Sequence, residues 1–306
     1  MPWSSTGLLK VIWWNTSLAP PVNVRSATAD DLVFVVDYVR FLRHQVGFDL
    51  LALAEVNAED LRTILQGLND PSLRVHDSSD RRSSLKFDTG VIYDSTKVTL
   101  EESRTLTDKF HSTTMKTGHQ MIYRVTATGD PLFLITSHWP SKRTAPDGAP
   151  RRAELGTALR HRIQAIHEDT PEAFVILAGD YNDDPYADSL AEHLGATRDR
   201  TMAKRRKGLL YNPFWRKMGE SHDDDHDDNN MRFCGTYYYD GGQINRWHTF
   251  DQIIFSSSFL TDKSMRLDER RCGVIATEVL WSKVLKSNQI FDHLPVFGTV
   301  ELRSQA

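Results

Sequence analysis

Residues Phe174 to Pro185, FVILAGDYNDDP, bring Asp180, Asn182, Asp183 and Asp184 together just after an apolar run that ends in Gly179. A carboxylate and a carboxamide two positions apart at a strand end point the same way. They can share a cation, a water or a phosphate oxygen. The run Ala173 to Leu177 has the length and branching of a strand buried on both faces, and such a strand has no room for carboxylates in its interior. The acids therefore belong at its open end, where Pro185 stops further pairing. Taken alone, the segment is also ordinary turn chemistry, so the other strand ends must decide.

They repeat the pattern. Asn15 follows LLKVIWW (Leu8 to Trp14), Glu55 follows DLLALA (Asp49 to Ala54), and His138 follows PLFLITS (Pro131 to Ser137). Asp251 opens the apolar segment Phe250 to Phe255, and Asp292-His293 precedes Leu294 to Leu302. If these last two strands run antiparallel to the others, Asn15, Glu55, His138, Asp180, Asp251 and His293 all reach one rim. Each is commonplace at a strand end, but together they are types that bind metals and move protons. Glu55 with Asn15 and Asp292 supplies hard oxygen ligands of the kind Mg²⁺ prefers, with Mn²⁺ as a substitute. No thiolate accompanies them and the histidines lack an HExxH spacing, which argues against zinc. An oxygen-ligated Mg²⁺ beside histidines suits phosphoryl chemistry. The metal neutralises a phosphate oxygen, a carboxylate aligns the attacking water, and cationic groups stabilise the charge that builds.

Positioning these groups requires a sheet-forming chain with covering helices. Apolar residues at helical spacing predict a helix over roughly Asp30 to Gln45, stopped by Gly47, and Asn57 caps a second over Ala58 to Leu68. Residues 84–94 and 119–127 read as strands that build an antiparallel part. Helices are expected near Arg151 to Glu168 and Ala187 to Leu194. Residues 196–247 read as an irregular insertion with a basic run, Arg198 to Lys207, and an acidic one, His222 to Asp228. With no repeat and no clear linker, 1–306 reads as one domain.

Composition narrows the class of protein. The chain has 306 residues, 40% hydrophobic and 25% charged, and a formal charge of −4, so it has no global basic field for nucleic acid. Any such attraction must be local. The N-terminus lacks the pattern of a secretory signal, and no apolar run approaches the roughly 20 residues of a membrane span. Cys234 and Cys272 are the two cysteines, so no disulfide framework is in use and a cytoplasmic location is expected, with no membrane association.

The chain resembles the endonuclease/exonuclease/phosphatase superfamily, which includes deoxyribonuclease-type nucleases, abasic-site endonucleases, neutral sphingomyelinases and inositol polyphosphate phosphatases. The resemblance is carried by Trp14-Asn15, Glu55 in LALAEV, His138 in SHWPSKR, Gly179 to Pro185, Phe250-Asp251-Gln252-Ile253 and Asp292-His293-Leu294-Pro295-Val296, in the family's order across nearly the whole chain. It implies a four-layer α/β sandwich of two mixed β-sheets flanked by helices, with a divalent-metal site at one rim. By motif, Glu55 would be the principal Mg²⁺ ligand with Asn15 and Asp292 close by. Asp180 would orient or deprotonate the attacking water, and Asn182 would hold that water or a phosphate oxygen. His293, kept cationic by Asp251, would contact the scissile phosphate, and His138 would donate to a non-bridging or leaving oxygen. Phe291 stands where the family commonly has Ser, and Gln252 stands where Tyr or His is frequent, a change expected to affect only packing. Thr16-Ser17-Leu18 lacks the acid some nucleases carry, so no second metal is assigned.

Substrate is less legible. Lys142 and Arg143, just after His138, are placed to meet a phosphate beyond the scissile one, or simply to solvate a loop. The Arg198 to Lys207 run could lie along a nucleic-acid backbone, although such a charge run is more often a solvated loop. Tyr237, Tyr238, Tyr239 and Trp247 could stack on bases or fill a core. The leading expectation is a Mg²⁺-dependent nuclease that hydrolyses phosphodiester bonds in DNA, with RNA as a further substrate and no protein partner inferable. The alternative is a phosphomonoesterase or phospholipase-like hydrolase of soluble or lipid phosphates on the same fold. A non-catalytic binding module is disfavoured because every chemical position holds a competent residue.

Overall fold

A computed structural model describes residues 3–20, 27–82, 85–219 and 234–305. Within them the chain forms β1 (Trp3–Asn15), β2 (Leu50–Ala54), β3 (Leu73–Asp77), β4 (Thr89–Asp94), β5 (Val98–Phe110), β6 (Thr113–Val125) and β7 (Pro131–His138). These are followed by β8 (Phe174–Asp180), β9 (Ala196–Thr197), β10 (Leu210–Tyr211), β11 (Asp251–Ser256), β12 (Met265–Val274) and β13 (Val296–Gln305). One six-stranded mixed sheet has the order β12-β13-β1-β2-β4-β3, and one seven-stranded mixed sheet has the order β9-β10-β11-β8-β7-β6-β5.

Why the central strands are apolar on both faces follows from the layers. Leu9, Val11 and Trp13 of β1 meet Ile176 and Ala178 of β8 in the core between the sheets. The alternate residues Ile12 and Trp14 pack outward with Val35 and Val39 of helix α1 (Ala29–Phe41) and Leu61 and Ile64 of α2 (Ala58–Leu68). On the opposite side, Val175 and Leu177 meet Leu155, Leu159 and Ile163 of α3 (Pro150–Asp169). Three apolar cores thus separate four layers, the α/β sandwich expected from the sequence. Thr28 and Asp31 close a capping box on α1, and Asn57 and Asp60 close one on α2.

Several elements differ from their sequence-based reading. The span 84–94 is interrupted at Asp88, with a short hairpin strand Leu85–Phe87 before it and β4 after it. β3, β5 and β12 are strands the periodicity did not suggest, because their outer faces are polar, as in the Glu101-Glu102-Ser103-Arg104 stretch of β5. The expected helix over 187–194 is a π-helical turn, Ser189–Leu194. The region 196–247 is more structured than expected. It holds β9, β10, helix α4 (Arg200–Arg205), a 3₁₀ turn Pro213–Lys217 and a hairpin pairing Tyr237–Tyr238 with Trp247–His248. The acidic run His222 to Asp228 lies outside the described residues. Among the described residues no helix is long and apolar enough to cross a membrane.

Candidate active site

Strand direction assembles the rim. β1 and β2 are parallel with Asn15 opposite Ala54, so Asn15 and Glu55 leave the first sheet together. β7 and β8 are parallel with His138 opposite Asp180, and β11 runs antiparallel with Asp251 opposite Asp180. β13 is antiparallel to β1, which returns Asp292-His293 to the same edge. All six groups predicted to share a rim do so. At Gly179 a Cβ would stand 2.5 Å from the Ser137 carbonyl oxygen, so only glycine lets β8 approach β7 this closely just below Asp180.

Two aspartate–histidine pairs face each other across Asp180. His293 Nδ1 lies 2.7 Å from Asp251 Oδ2, and His138 Nδ1 lies 2.8 Å from Asp88 Oδ2. The opposite ring nitrogens, both Nε2, lie 3.7 Å (His293) and 3.8 Å (His138) from the same Asp180 Oδ2. Burial alone would strip the proton from His293, but Asp251, Asp180 and Asp292 outweigh it and hold its pKa well above the usual histidine range. Burial likewise opposes charge on His138, and Asp88 more than offsets it, raising that pKa. Asp88 is fully buried yet held well below the usual carboxylate range, because Lys116 and His138 outweigh the cost of its burial. Lys116 Nζ sits 2.7 Å from Asp88 Oδ1 and 3.1 Å from the Lys86 carbonyl oxygen. Asp251 is equally enclosed, and its second oxygen accepts from Trp13 Nε1 at 2.8 Å.

A carboxylate cluster adjoins the histidines. Asn15 Nδ2 donates to Glu55 Oε1 (3.3 Å) and Asp180 Oδ2 (3.2 Å), while its Oδ1 accepts from the Ser17 N–H. Ser17 Oγ donates to Asp292 Oδ1 at 3.0 Å, so a hydroxyl reaches Asp292 even though Phe291 supplies none. Burial pushes the Glu55 carboxyl up to about 7, His138 opposes that, and Asp292 and Asp88 add to it. Glu55 and Asn182 both adopt positive φ, 53° and 51°, which costs non-glycine residues on the order of 1 kcal/mol. A hard divalent cation fits this donor set: the groups are oxygen donors, and the crowding that raises the Glu55 pKa is what a cation relieves. One ligand atom each of Asp180, Asp251 and His293 also lies within 4.8 Å of the others. Both oxygens of Asp251 and both of Asp180 already accept hydrogen bonds, however, which leaves Glu55 and Asp292, each bonded through one oxygen, as the better-disposed carboxylates.

The remaining predicted positions divide. Asn182 is at the rim, its Nδ2 donating to the Trp139 carbonyl oxygen and its backbone N–H to Asp180 Oδ1. Lys142 pairs with Asp147 at 3.0 Å and lies 5.0 Å above the Phe250 ring, and the exposed Arg143 is near enough to Tyr237 to act on its charge. Asp183 and Asp184 turn away. Asp183 takes Ser189 Oγ and Arg152, and Asp184 takes the Thr249 N–H and His248. Gln252 does more than pack: its amide donates to Asp183 and Thr249 carbonyls and accepts from Asn212. The aromatic block splits, with Tyr237 4.7 Å from the His293 ring, Tyr238 and Trp247 packed on the helix-side core, and Tyr239 exposed. Cys234 is half-buried and Cys272 buried.

The basic run is not at the mouth. Leu210 pairs with Ser256 at the end of β11 remote from Asp251, about 17 Å away at ~3.3 Å per residue. α4 lies beside that far end. Residues that sequence reasoning missed are Asp88, Lys116, Trp13 and Arg152. The buried Arg152 guanidinium donates to the carbonyls of Pro140, Ala145 and Tyr181 and pairs with Asp183, tying the loop that carries Lys142 and Arg143 to the floor of the site. The Asp-Thr-Gly step after Phe87 was the one available signal for Asp88, being turn chemistry inside an otherwise apolar span.

The family model of the endonuclease/exonuclease/phosphatase family matches residues 69–289, and the chain belongs to that family of phosphoric ester hydrolases. Its fold is similar to the human Nocturnin catalytic domain with bound sulfate, at 14% identity, covering 98% of this chain and 97% of that one, with a TM-score of 0.61. It is also similar to D. rerio TDP2 humanized by 14 mutations, at 19% identity, 96% and 99% coverage and a TM-score of 0.59. A third is a mannosyl-6-phosphatase of Bacteroides thetaiotaomicron VPI-5482, at 15% identity, 96% and 99% coverage and a TM-score of 0.61. At these identities the likeness shows the fold. No curated protein matches the chain.

Proposed function

We propose that this chain, as one domain over 1–306 acting in the cytoplasm, hydrolyses phosphodiester bonds of nucleic acid, DNA foremost, using an activated water and Mg²⁺, for which Mn²⁺ can substitute. The observation that carries the reading is Asp180 Oδ2 lying between the two Nε2 atoms of histidines that are each backed by a buried carboxylate. In this reading Asp180 aligns the water and takes its proton. His293 donates to a non-bridging oxygen of the scissile phosphate, and Asp251, fixed by the Trp13 indole, keeps it cationic and oriented. His138, held the same way by Asp88, protonates the leaving oxygen. Asn182 steadies the water or a phosphate oxygen, and Lys142 and Arg143 meet the next phosphate.

Glu55 and Asp292 would hold the cation, with Asn15 beside them. The cation supplies neutralisation of phosphate charge. Asn15 offers its N–H groups to the carboxylates and its oxygen to the Ser17 N–H, so its part is to space Glu55 from Asp180.

A phosphomonoesterase or phospholipase-like activity is the second reading, favoured by the similarity to the mannosyl-6-phosphatase structure. The two are separated by incubating the protein and Mg²⁺ with end-labelled oligonucleotides, and in parallel with sugar, inositol and nucleoside monophosphates. Shortened oligonucleotides without free phosphate support the first reading. Free phosphate from the monoesters with intact oligonucleotides supports the second and overturns the first.

A further inference from the structure

The arginines gathered at the far end of the sandwich have no part in the chemistry above. A cleft of about 590 Å³ opens there, lined by Arg200 of α4, Arg216 of the 3₁₀ turn, and Arg266, Arg270 and Arg271 of edge strand β12. Its floor is Glu269, whose side chain is 14% exposed and whose carboxylate takes Arg200 and Arg216 at 3.0 Å each, together with the Tyr211 hydroxyl. Glu269 therefore orients two guanidiniums rather than cancelling the patch, since each keeps further N–H donors beyond the one it spends. Asp268, 3.5 Å from Arg271, and Glu301 line the cleft as well, so five arginines face three carboxylates and the excess charge is positive, with Arg216 and Arg271 72% and 60% exposed. Aromatic rings back one more guanidinium, Arg198 5.0 Å from Trp215, and also Arg200, 5.7 Å from Tyr211.

Charged side chains on an edge strand also prevent it from pairing with other chains. That role needs neither a cleft nor a contribution from α4 and the 3₁₀ turn, which come from a different part of the sequence. The turn is the informative element. Pro213–Lys217 begins just after β10, at the far end, and finishes at Lys217, whose carbonyl accepts from Thr249 Oγ1. The backbone N–H of Thr249 is bound by Asp184 in the rim loop. Arg216 and Lys217 thus stand on the flank between cleft and mouth.

Resting on the nuclease reading, we infer that the arginine-lined cleft and this flank form a track for the phosphate backbone of a nucleic-acid strand whose scissile bond lies at the rim. The ~17 Å along β11 between Asp251 and the cleft end corresponds to about five steps of one strand of a B-form duplex at ~3.4 Å each, and to fewer nucleotides of an extended single strand. The fork geometry of arginine matches phosphate oxygens in pairs, and the track recognises backbone rather than base edges.

The test compares wild type with the Arg216→Ala/Arg270→Ala/Arg271→Ala triple variant, all exposed positions outside the catalytic machinery. Binding of a labelled single-stranded oligonucleotide long enough to span rim and cleft is followed by anisotropy in EDTA over a range of salt. Hydrolysis of bis(p-nitrophenyl) phosphate and of a dinucleotide is measured with Mg²⁺. Each lost phosphate contact removes ~0.7 from the slope of log K against log salt, so the slope should fall by about 2 and Kd at ~50 mM salt should rise at least ~10-fold. Both small substrates should turn over as in wild type. Unchanged affinity and slope in a variant of a protein that does bind and cleave long strands would overturn the track alone. Wild type that hydrolyses the small diester yet neither binds nor cuts oligonucleotides would overturn the nuclease reading and the track with it. Displacement of the labelled strand by polyglutamate as readily as by unlabelled DNA would overturn the assignment to a phosphate backbone.

Discussion

Replacing Asp88 by Asn probes a residue that is buried and touches both a histidine and a lysine of the site. Asp88 is 0% exposed, with Lys116 Nζ at 2.7 Å on one oxygen and His138 Nδ1 at 2.8 Å on the other. Asn offers one oxygen where two are needed. If it faces His138, its NH₂ meets the ammonium of Lys116; if it faces Lys116, the NH₂ meets His138 Nδ1 and forbids the cationic ring. Breaking a buried ion pair costs 3–5 kcal/mol, and because one acceptor survives, the expected loss is about 3 kcal/mol. For 306 residues at ~2.1 cal/mol/K each, that lowers Tm by about 5 °C. Turnover should fall ~10²–10³-fold, within the usual range for general acid–base groups. Asp88 raises the His138 pKa, so its removal lowers that pKa and moves the alkaline limb of the pH–rate profile to lower pH. Adding Lys116→Met removes the stranded cation, so the double variant should recover most of the stability and none of the turnover. The assays are thermal unfolding and hydrolysis of a dinucleotide, whose alkoxide leaving group needs the proton, from pH 5 to 9. An Asp88→Asn protein within about threefold of wild-type turnover, or with an unmoved alkaline limb, would refute the assignment of His138 as a donor aligned by Asp88.

Other perturbations separate the remaining roles. Glu55→Gln keeps the Asn15 contact and removes a charge, so a Mg²⁺ titration of activity should shift its midpoint upward ~10-fold or more; an unshifted curve removes Glu55 from the cation site. Trp13→Phe deletes the indole N–H that Asp251 accepts, and turnover should drop ~10-fold with the fold retained; wild-type turnover would show that this bond does not orient the pair. His138 gains stability from Asp88, and with its folded pKa raised, that gain is complete below the unfolded value of about 6.5 and fades as pH rises through the folded one. The unfolding free-energy gap between wild type and His138→Gln should therefore narrow from pH 6 to 9, and a gap that widens would contradict the sign. Arg152→Ala leaves Asp183 buried without its cation and frees the loop that carries Lys142, and should cost ~3–5 kcal/mol in urea unfolding, which a loss below ~1 kcal/mol would refute.

The rim was legible because its strands are central. A strand covered on both faces must be apolar throughout, so an acid, amide or histidine at its end stands out, as at Asn15, Glu55, His138 and Asp180. Asp88 was hidden because it sits between a short hairpin strand and β4, two segments of different sheets that the sequence runs together, and only its distant partners Lys116 and His138 reveal its role. β5 and β12 were hidden for the opposite reason: edge strands with a wet face carry no sustained apolar pattern. The Arg198 to Lys207 run was visible as charge, yet its position depends on pairings such as Leu210 with Ser256 and Tyr211 with Glu269, which no local pattern encodes.

The most direct measurement is a gel assay of supercoiled plasmid, linear duplex and single-stranded RNA, with wild type beside Asp180→Asn, each in Mg²⁺ and in EDTA. The account predicts cleavage by wild type in Mg²⁺ alone, reduced at least ~100-fold in the variant, whose melting temperature stays near wild type. Cleavage that persists in the variant or in EDTA, or polymers left intact by wild type while small phosphate esters are hydrolysed, would contradict it.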